Sequence, residues 1–120
     1  MGDAGQTRHV SRYGKYPAIV WVSNCGFPEK DQFAVLRLCC ERNIRNDKAK
    51  IIAEIYRGQG PLLTAENPEL QPVLNDYKDL LRRAGKEIVM NRKIPDDLQA
   101  ELDKPLIPED EYSKSANESW

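Results

Sequence analysis

A nearly continuous apolar run close to the amino end places the strongest constraint on how this chain folds. Residues 18–22 read Ala-Ile-Val-Trp-Val, with Pro17 before them and Gly26 a short way after. Their length and β-branched content predict a strand over residues 18–23. Because polar residues do not alternate with the apolar ones, the run is typical of a parallel strand that is covered on both faces. The rest of the chain must therefore supply a neighbouring strand and covering helices.

The pattern that follows predicts a strand–helix–strand unit. Residues 28–43 have a broad apolar face through Phe33, Leu36 and Cys40, which predicts a helix. The face is widened by three more residues: Val35, Leu38 and Cys39. So wide an apolar surface predicts substantial burial. Residues 50–57 read Lys-Ile-Ile-Ala-Glu-Ile-Tyr-Arg and predict a second strand, which completes a βαβ unit with parallel strands.

The second half of the chain is predicted to be helical. Apolar residues three and four positions apart predict an amphipathic helix over residues 68–91, namely Leu70, Val73, Leu74, Tyr77, Leu80, Leu81, Ala84 and Ile88. A short helix is predicted from Pro95 through Lys104. We divide the chain into a flexible leader (residues 1–15), an α/β half-domain (residues 16–104) and a C-terminal tail (residues 105–120), which is irregular before a short helical end.

Two predicted strands are too few for a self-sufficient parallel sheet. Parallel sheets occur almost only inside larger covered architectures, and open apolar edges pair with other chains. We therefore expect a second copy, or a separate partner chain, to complete the sheet. A single copy is expected to leave the segment Ile19–Val22 incompletely covered.

Composition excludes several classes of function. The chain has 120 residues, which suits one domain. Its net charge is −1, which gives no general attraction to nucleic acid or membranes. With 40% hydrophobic and 31% charged residues it reads as a globular protein, and without an apolar leader we predict a cytoplasmic location. Three cysteines without a CxxC pair and one histidine argue against a metal site.

The polar elbow after the first strand is the candidate site. Ligands of open α/β sheets bind beyond the carboxyl ends of the strands, which is where Ser23 to Pro28 lie. Asn24 offers a donor and an acceptor, Gly26 permits close approach of a ligand, and Phe27 could stack on a planar ring. The N–H groups of the predicted helix start at Glu29 could meet an anion. An ordinary strand-to-helix turn is the alternative, and Cys25 is either a reactive thiol or a small packing residue.

The remaining motifs give less evidence for a function. Gly58-Gln59-Gly60 lacks the third glycine of a dinucleotide fingerprint, because Pro61 follows it. A phosphatase loop would need an arginine six positions after Cys25, where Asp31 stands. His9 is the only histidine, so a Ser–His–Asp set is not possible.

Four stretches together resemble one family. The first two, PAIVWVSNCGFPEKDQFAVLRL and AKIIAEIYRGQGPLL, are similar to the fourth and fifth strands, with their following segments, of flavodoxin-like NAD(P)H-dependent oxidoreductases of the FMN-reductase group. LLRRAGKEIV and LQAELDKPLIPEDEY resemble the final helix and tail of that group. The resemblance extends over residues 16–120.

This resemblance implies a partial flavodoxin-like fold with FMN at the strand ends. By analogy, Asn24, Cys25, Gly26 and Phe27 would lie beside the flavin ring, and NAD(P)H would be the hydride donor. The chain corresponds to the C-terminal half of the family pattern, and the family's first three strands and phosphate-binding loop have no counterpart in it.

Two functions therefore stay open. One is an FMN-dependent oxidoreductase, or half of one. The other is a non-catalytic interaction module that self-associates, or binds an N-terminal-half partner chain, through its open sheet edge.

Overall fold

The computed structural model describes Gly14 and residues 16–46 and 49–119. The predicted flexible leader, residues 1–15, lies outside the described residues except for Gly14. The elements are β1 (Ala18–Asn24), α1 (Ala34–Asn46), β2 (Lys50–Arg57), α2 (Gln71–Asn91), α3 (Asp96–Asp103) and α4 (Glu109–Glu118). Three 3₁₀ segments, at Lys30–Phe33, Gly60–Thr64 and Pro68–Leu70, lead into α1, follow β2 and lead into α2. The chain is thus an α/β protein, as predicted.

The two strands form one parallel sheet. Ala18 lies beside Lys50, and an irregularity after Ile19 shifts the register so that Val20 pairs with Ala53 and Val22 with Ile55. Paired residues in a parallel sheet point to the same face, so the two valines share a face with the buried side chains of β2.

Helices α2 and α3 cover that face of β2. Their apolar stripes and the strand form one buried core, which contains Ala53, Ile55, Tyr77, Ala84, Ile94, Leu98 and Leu102. Leu102 is only 1% exposed. The end of α2 is set by Arg92, whose left-handed backbone (φ 61°) ends the helix while its N–H donates to the carbonyl oxygen of Ile88 over 3.0 Å. The chain then turns back so that α3 packs against α2 and β2.

None of the described helices covers the same face of β1 in this way. Val20 is 39% exposed and Val22 is 64% exposed, although their register partners on β2 are buried. Among the described residues, β1 has no second neighbouring strand, since the sheet they form has the order β1–β2. The expectation that one copy leaves this strand incompletely covered agrees with these exposures.

The prediction that α1 buries a broad apolar face is wrong. Phe33 and Cys40 are buried, but Val35 is 72% exposed and Leu38 is 53% exposed. A two-stranded sheet offers α1 only a narrow surface, on which Phe33 stacks against Tyr56 with ring centroids 5.0 Å apart. The helix also starts later than predicted, with a 3₁₀ turn at Lys30 in place of an α-turn at Pro28.

The helical end predicted for the C-terminal tail is found, and it begins earlier in the tail than expected. Residues Glu109–Glu118 form α4, and its first turn carries Glu109, Asp110 and Glu111, where negative charge complements the positive end of the helix dipole. Tyr112 is the buried residue by which α4 contacts the body of the protein. This contact brings the tail to the carboxyl ends of the strands.

Candidate ligand cleft at the strand ends

The loop after β1 and the loop after β2 are joined by backbone hydrogen bonds. We call residues 25–28 the elbow loop. The N–H of Cys25 donates to the carbonyl oxygen of Arg57 over 3.0 Å, and the N–H of Gly60 donates to that of Cys25 over 2.7 Å. The N–H of Gln59 donates to the carbonyl oxygen of Phe27 over 3.1 Å. The two loops therefore form one fixed unit at the edge of the sheet.

Two glycines make this close approach possible. A Cβ at Gly58 would lie 2.9 Å from the carbonyl oxygen of Phe27, and a Cβ at Gly60 would lie 2.9 Å from that of Cys25. Real Cβ atoms do not approach backbone oxygens so closely, so a side chain at either position would push the loops apart. The Gly58-Gln59-Gly60 motif thus has a packing role, in line with its lack of a dinucleotide fingerprint.

Gln59 fixes the C-terminal tail to this unit. It is 1% exposed and has a left-handed backbone with φ 57°. Its side-chain N–H donates to the carbonyl oxygen of Ile107 over 2.9 Å, and its Oε1 accepts from the N–H groups of Leu106 and Ile107 over 2.9 and 3.2 Å. Sequence reasoning missed this residue, because its partners are 47 and 48 positions away.

Helix α4 is held against the elbow loop by Tyr112. The phenol O–H donates to the carbonyl oxygen of Gly26 over 2.6 Å. Burial raises the pKa of Tyr112, and the nearby Cys25 contributes in the same direction. The phenol therefore stays protonated, and able to donate this bond, beyond the ordinary tyrosine range.

These contacts create an open cleft of about 850 Å³ at the carboxyl ends of the strands. Its walls come from the elbow loop, the start of the 3₁₀ segment after β2, and the tail with α4; they include Gly26, Phe27, Pro28, Leu62, Ile107 and Tyr112. Phe27 is 61% exposed there. Ligand pockets have this character, with apolar walls and a few polar groups, and their volumes are about 300–1,000 Å³.

The four predicted site residues are not all placed in this cleft. Gly26 and Phe27 line it. Asn24 instead lines a separate groove between β1 and α2. The thiol of Cys25 donates to the carbonyl oxygen of Phe27 over 3.4 Å, a contact that keeps its sulfur within the elbow loop.

Two further cysteines lie on α1. Cys40 is buried, and burial raises the pKa of its thiol, with Glu54 and Glu41 adding to the effect. A buried thiol with a raised pKa is a poor nucleophile, so Cys40 acts as a packing residue. Cys39 is exposed.

Arg57 is a second residue that sequence reasoning did not single out. It ends β2 and is only 5% exposed. Its Nε–H donates to the carbonyl oxygen of Gly58 and its Nη1–H to that of Leu102, each over 3.0 Å. The guanidinium also lies over the ring of Tyr77, 5.1 Å from its centroid. The only signal in the sequence is a charged residue at the end of an apolar strand.

Comparison with known proteins gives no match among family models, curated proteins or solved structures. Within residues 16–46 and 49–119, none of the helices is sufficiently long and apolar to span a bilayer. The same residues contain no group of three or more His, Cys, Asp or Glu side chains that could hold a metal ion.

Proposed function

We propose that the cleft beside the elbow loop binds the ring of a flavin, and that the chain is the C-terminal part of a flavodoxin-like NAD(P)H-dependent oxidoreductase. The observation that carries this proposal is the position of the cleft. It lies beyond the carboxyl ends of two parallel strands, where α/β sheets bind their ligands, and it is bordered by the exposed ring of Phe27.

The residues present fit the ring of FMN better than its phosphate. Phe27 and Leu62 offer apolar surface to a planar ring, and Gly26 permits close approach. A phosphate needs several aimed N–H donors. The N–H groups of Cys25, Gln59 and Gly60 already donate within the protein. We therefore expect riboflavin and FMN to bind with similar affinity.

A bound flavin would supply hydride transfer between NAD(P)H and an acceptor, and the protein would orient it. In this chain Phe27 would stack on the ring. Tyr112, through its bond to Gly26, would hold the elbow loop in place.

Titration of the purified chain with riboflavin and with FMN, followed by flavin fluorescence, tests the proposal. We expect saturable quenching with both. Aromatic stacking contributes about 0.5–1.5 kcal/mol, so Phe27→Ala should weaken binding about two- to tenfold. Met90→Ala, which removes a 78% exposed apolar side chain at the far end of α2, is the matched control. An absence of quenching, or equal losses in both variants, would contradict the proposal.

We also propose a second function, association through β1, which a separate observation favours. Val20 and Val22 expose apolar surface on a strand that has one open edge within the described residues. Exposed apolar edges of this kind pair with other strands.

Sedimentation equilibrium of the full chain tests this second function. We expect self-association that Val22→Lys weakens, because an edge lysine opposes strand pairing. Val89→Lys is the control, since Val89 is 79% exposed on α2. A wild-type monomer at every concentration would exclude self-association and leave a separate partner chain as the remaining form of this function.

A further inference from the structure

The groove between β1 and α2 is lined by a buried cation, Arg57, that forms no ion pair within the described residues. Arg57 is 5% exposed, and its hydrogen bonds go to two carbonyl oxygens. No carboxylate pairs with it among the described residues. Asp103 and Glu109 line a different pocket with Arg57, on the side away from the groove's α2 wall, and Asp103 accepts a hydrogen bond from Gln99 over 3.1 Å. Buried charges are usually paired, because removing a charge from water is costly.

The groove beside this cation has a volume of about 230 Å³. Arg57 and Lys78 give it two positive charges, and Asn24 gives it an amide. Its walls are apolar and come from both sides of the groove: Val22 on β1, and Leu74 and Leu81 on α2. Leu74 is 3% exposed, so the wall is part of the packed body of the protein.

We infer that this groove binds a small carboxylate with an apolar body, whose carboxylate pairs with Arg57. Guanidinium groups bind carboxylates through charge-assisted hydrogen bonds, often two at once. The valine and leucine walls suit the apolar body, and Lys78 adds positive charge beside the entrance. A cationic ligand is disfavoured, because it would meet two like charges.

This inference does not depend on the flavin proposal. The groove and the cleft beside the elbow loop share no lining residue. A ligand of one site should leave the resonances of the other unchanged, so the two proposals fail separately.

Benzoate is the probe, with benzamide as its neutral counterpart of the same shape. The full chain is titrated at constant ionic strength and followed by amide NMR. We expect saturable shifts at Val22, Asn24 and Tyr77, and at the Nε–H of Arg57. Hydrogen bonds to charged groups contribute about 1.5–3 kcal/mol, so benzamide should bind about tenfold more weakly or worse.

Variants test the role of the two cations. Arg57→Lys keeps the positive charge but loses the planar guanidinium with its paired N–H donors. It should weaken benzoate binding about tenfold. Arg57 also bonds to two carbonyl oxygens, so its replacement could disturb the fold, whereas Lys78→Gln should leave the fold intact. Because Lys78 is exposed, loss of its charge should weaken benzoate binding only about two- to fivefold. Lys86→Gln, also exposed and on α2, should have no effect.

Three results would overturn the inference. The first is the absence of a saturable shift with benzoate, and the second is benzamide binding as tight as that of benzoate. The third is a set of shifts centred on Gly26 and Phe27, which would place the ligand in the other cleft.

Discussion

β1 has no charged residue and β2 has three, yet β2 lies in the closed half of the molecule (β2 with the loop after it, α2 and α3) and β1 in the open half. Val22 and Ile55 are register partners on the same face of the sheet. Ile55 is 5% exposed and Val22 is 64% exposed. The difference comes from α2 and α3, which cover β2 and stop short of β1. Burial in this protein is therefore set by where the helices lie, since the strand with no charged residue is the more exposed of the two.

The open half also contains a polar group without a partner. The indole N–H of Trp21 on β1 is the one side-chain nitrogen or oxygen in the described part of the chain that is buried without a hydrogen bond. An unsatisfied buried donor costs about 1–3 kcal/mol. By contrast, Arg57 and Gln59 in the closed half are buried and bonded. The open half is thus less well packed, and its buried polar groups are less completely hydrogen-bonded.

The largest expected effect is the loss of a leucine from the closed half. Leu102→Ala removes a side chain that is 1% exposed, and should lower the free energy of unfolding by about 2–5 kcal/mol. Urea denaturation followed by far-UV circular dichroism measures the change.

Leu38→Ala is the matched control, because Leu38 is a leucine that is 53% exposed on α1. It should change the free energy of unfolding by no more than about 0.5 kcal/mol. Equal losses for the two leucines would show that the buried core and the exposed face of α1 do not differ as described.

The next effect concerns the attachment of the tail. Gln59→Ala removes three hydrogen bonds to Leu106 and Ile107. At about 1 kcal/mol each, their loss should destabilise the fold by about 2–3 kcal/mol. Hydrogen exchange should show faster exchange at the amides of Leu106 and Ile107.

Gln99→Ala is the corresponding control, since Gln99 makes a single side-chain bond, to Asp103. It should leave exchange at Leu106 and Ile107 unchanged. If Gln59→Ala also left these amides protected, the tail would be held by other contacts.

The smallest effect in this series tests the contact between the two loops. Gly58→Ala places a Cβ 2.9 Å from the carbonyl oxygen of Phe27. Overpacking of this kind costs about 1–3 kcal/mol. Thermal denaturation should show a lower midpoint for Gly58→Ala than for Gly26→Ala, because a Cβ at Gly26 meets no atom within 4 Å. Equal midpoints would mean that the loops separate without cost.

The elements themselves were largely predictable. The second strand was predicted at residues 50–57 and is found at Lys50–Arg57. The long helix was predicted over residues 68–91; Pro68–Leu70 form a 3₁₀ turn and Gln71–Asn91 form α2. Hydrophobic periodicity is a local property, so it locates elements well. It cannot show which apolar face is covered, and for this reason the burial of α1 was mispredicted.

The candidate site was only partly predictable. The elbow loop was found because glycine and polar residues follow a buried strand. The roles of Gln59 and Tyr112 depend on partners 48 and 86 positions away, and no local pattern reports such pairs. The separation of Asn24 from Phe27 into two different cavities also follows from packing.

By itself, the order of residues determined two parallel strands, their alternation with helices, and a polar turn where the first strand ends, because these depend on neighbours a few positions apart. Only the tertiary structure decided that β2 is enclosed while β1 is open, that the tail closes over the elbow loop, and that Arg57 is buried with its guanidinium bonded to two carbonyl oxygens. Each of these depends on distant segments meeting, and the free energy of such contacts is set by packing and desolvation.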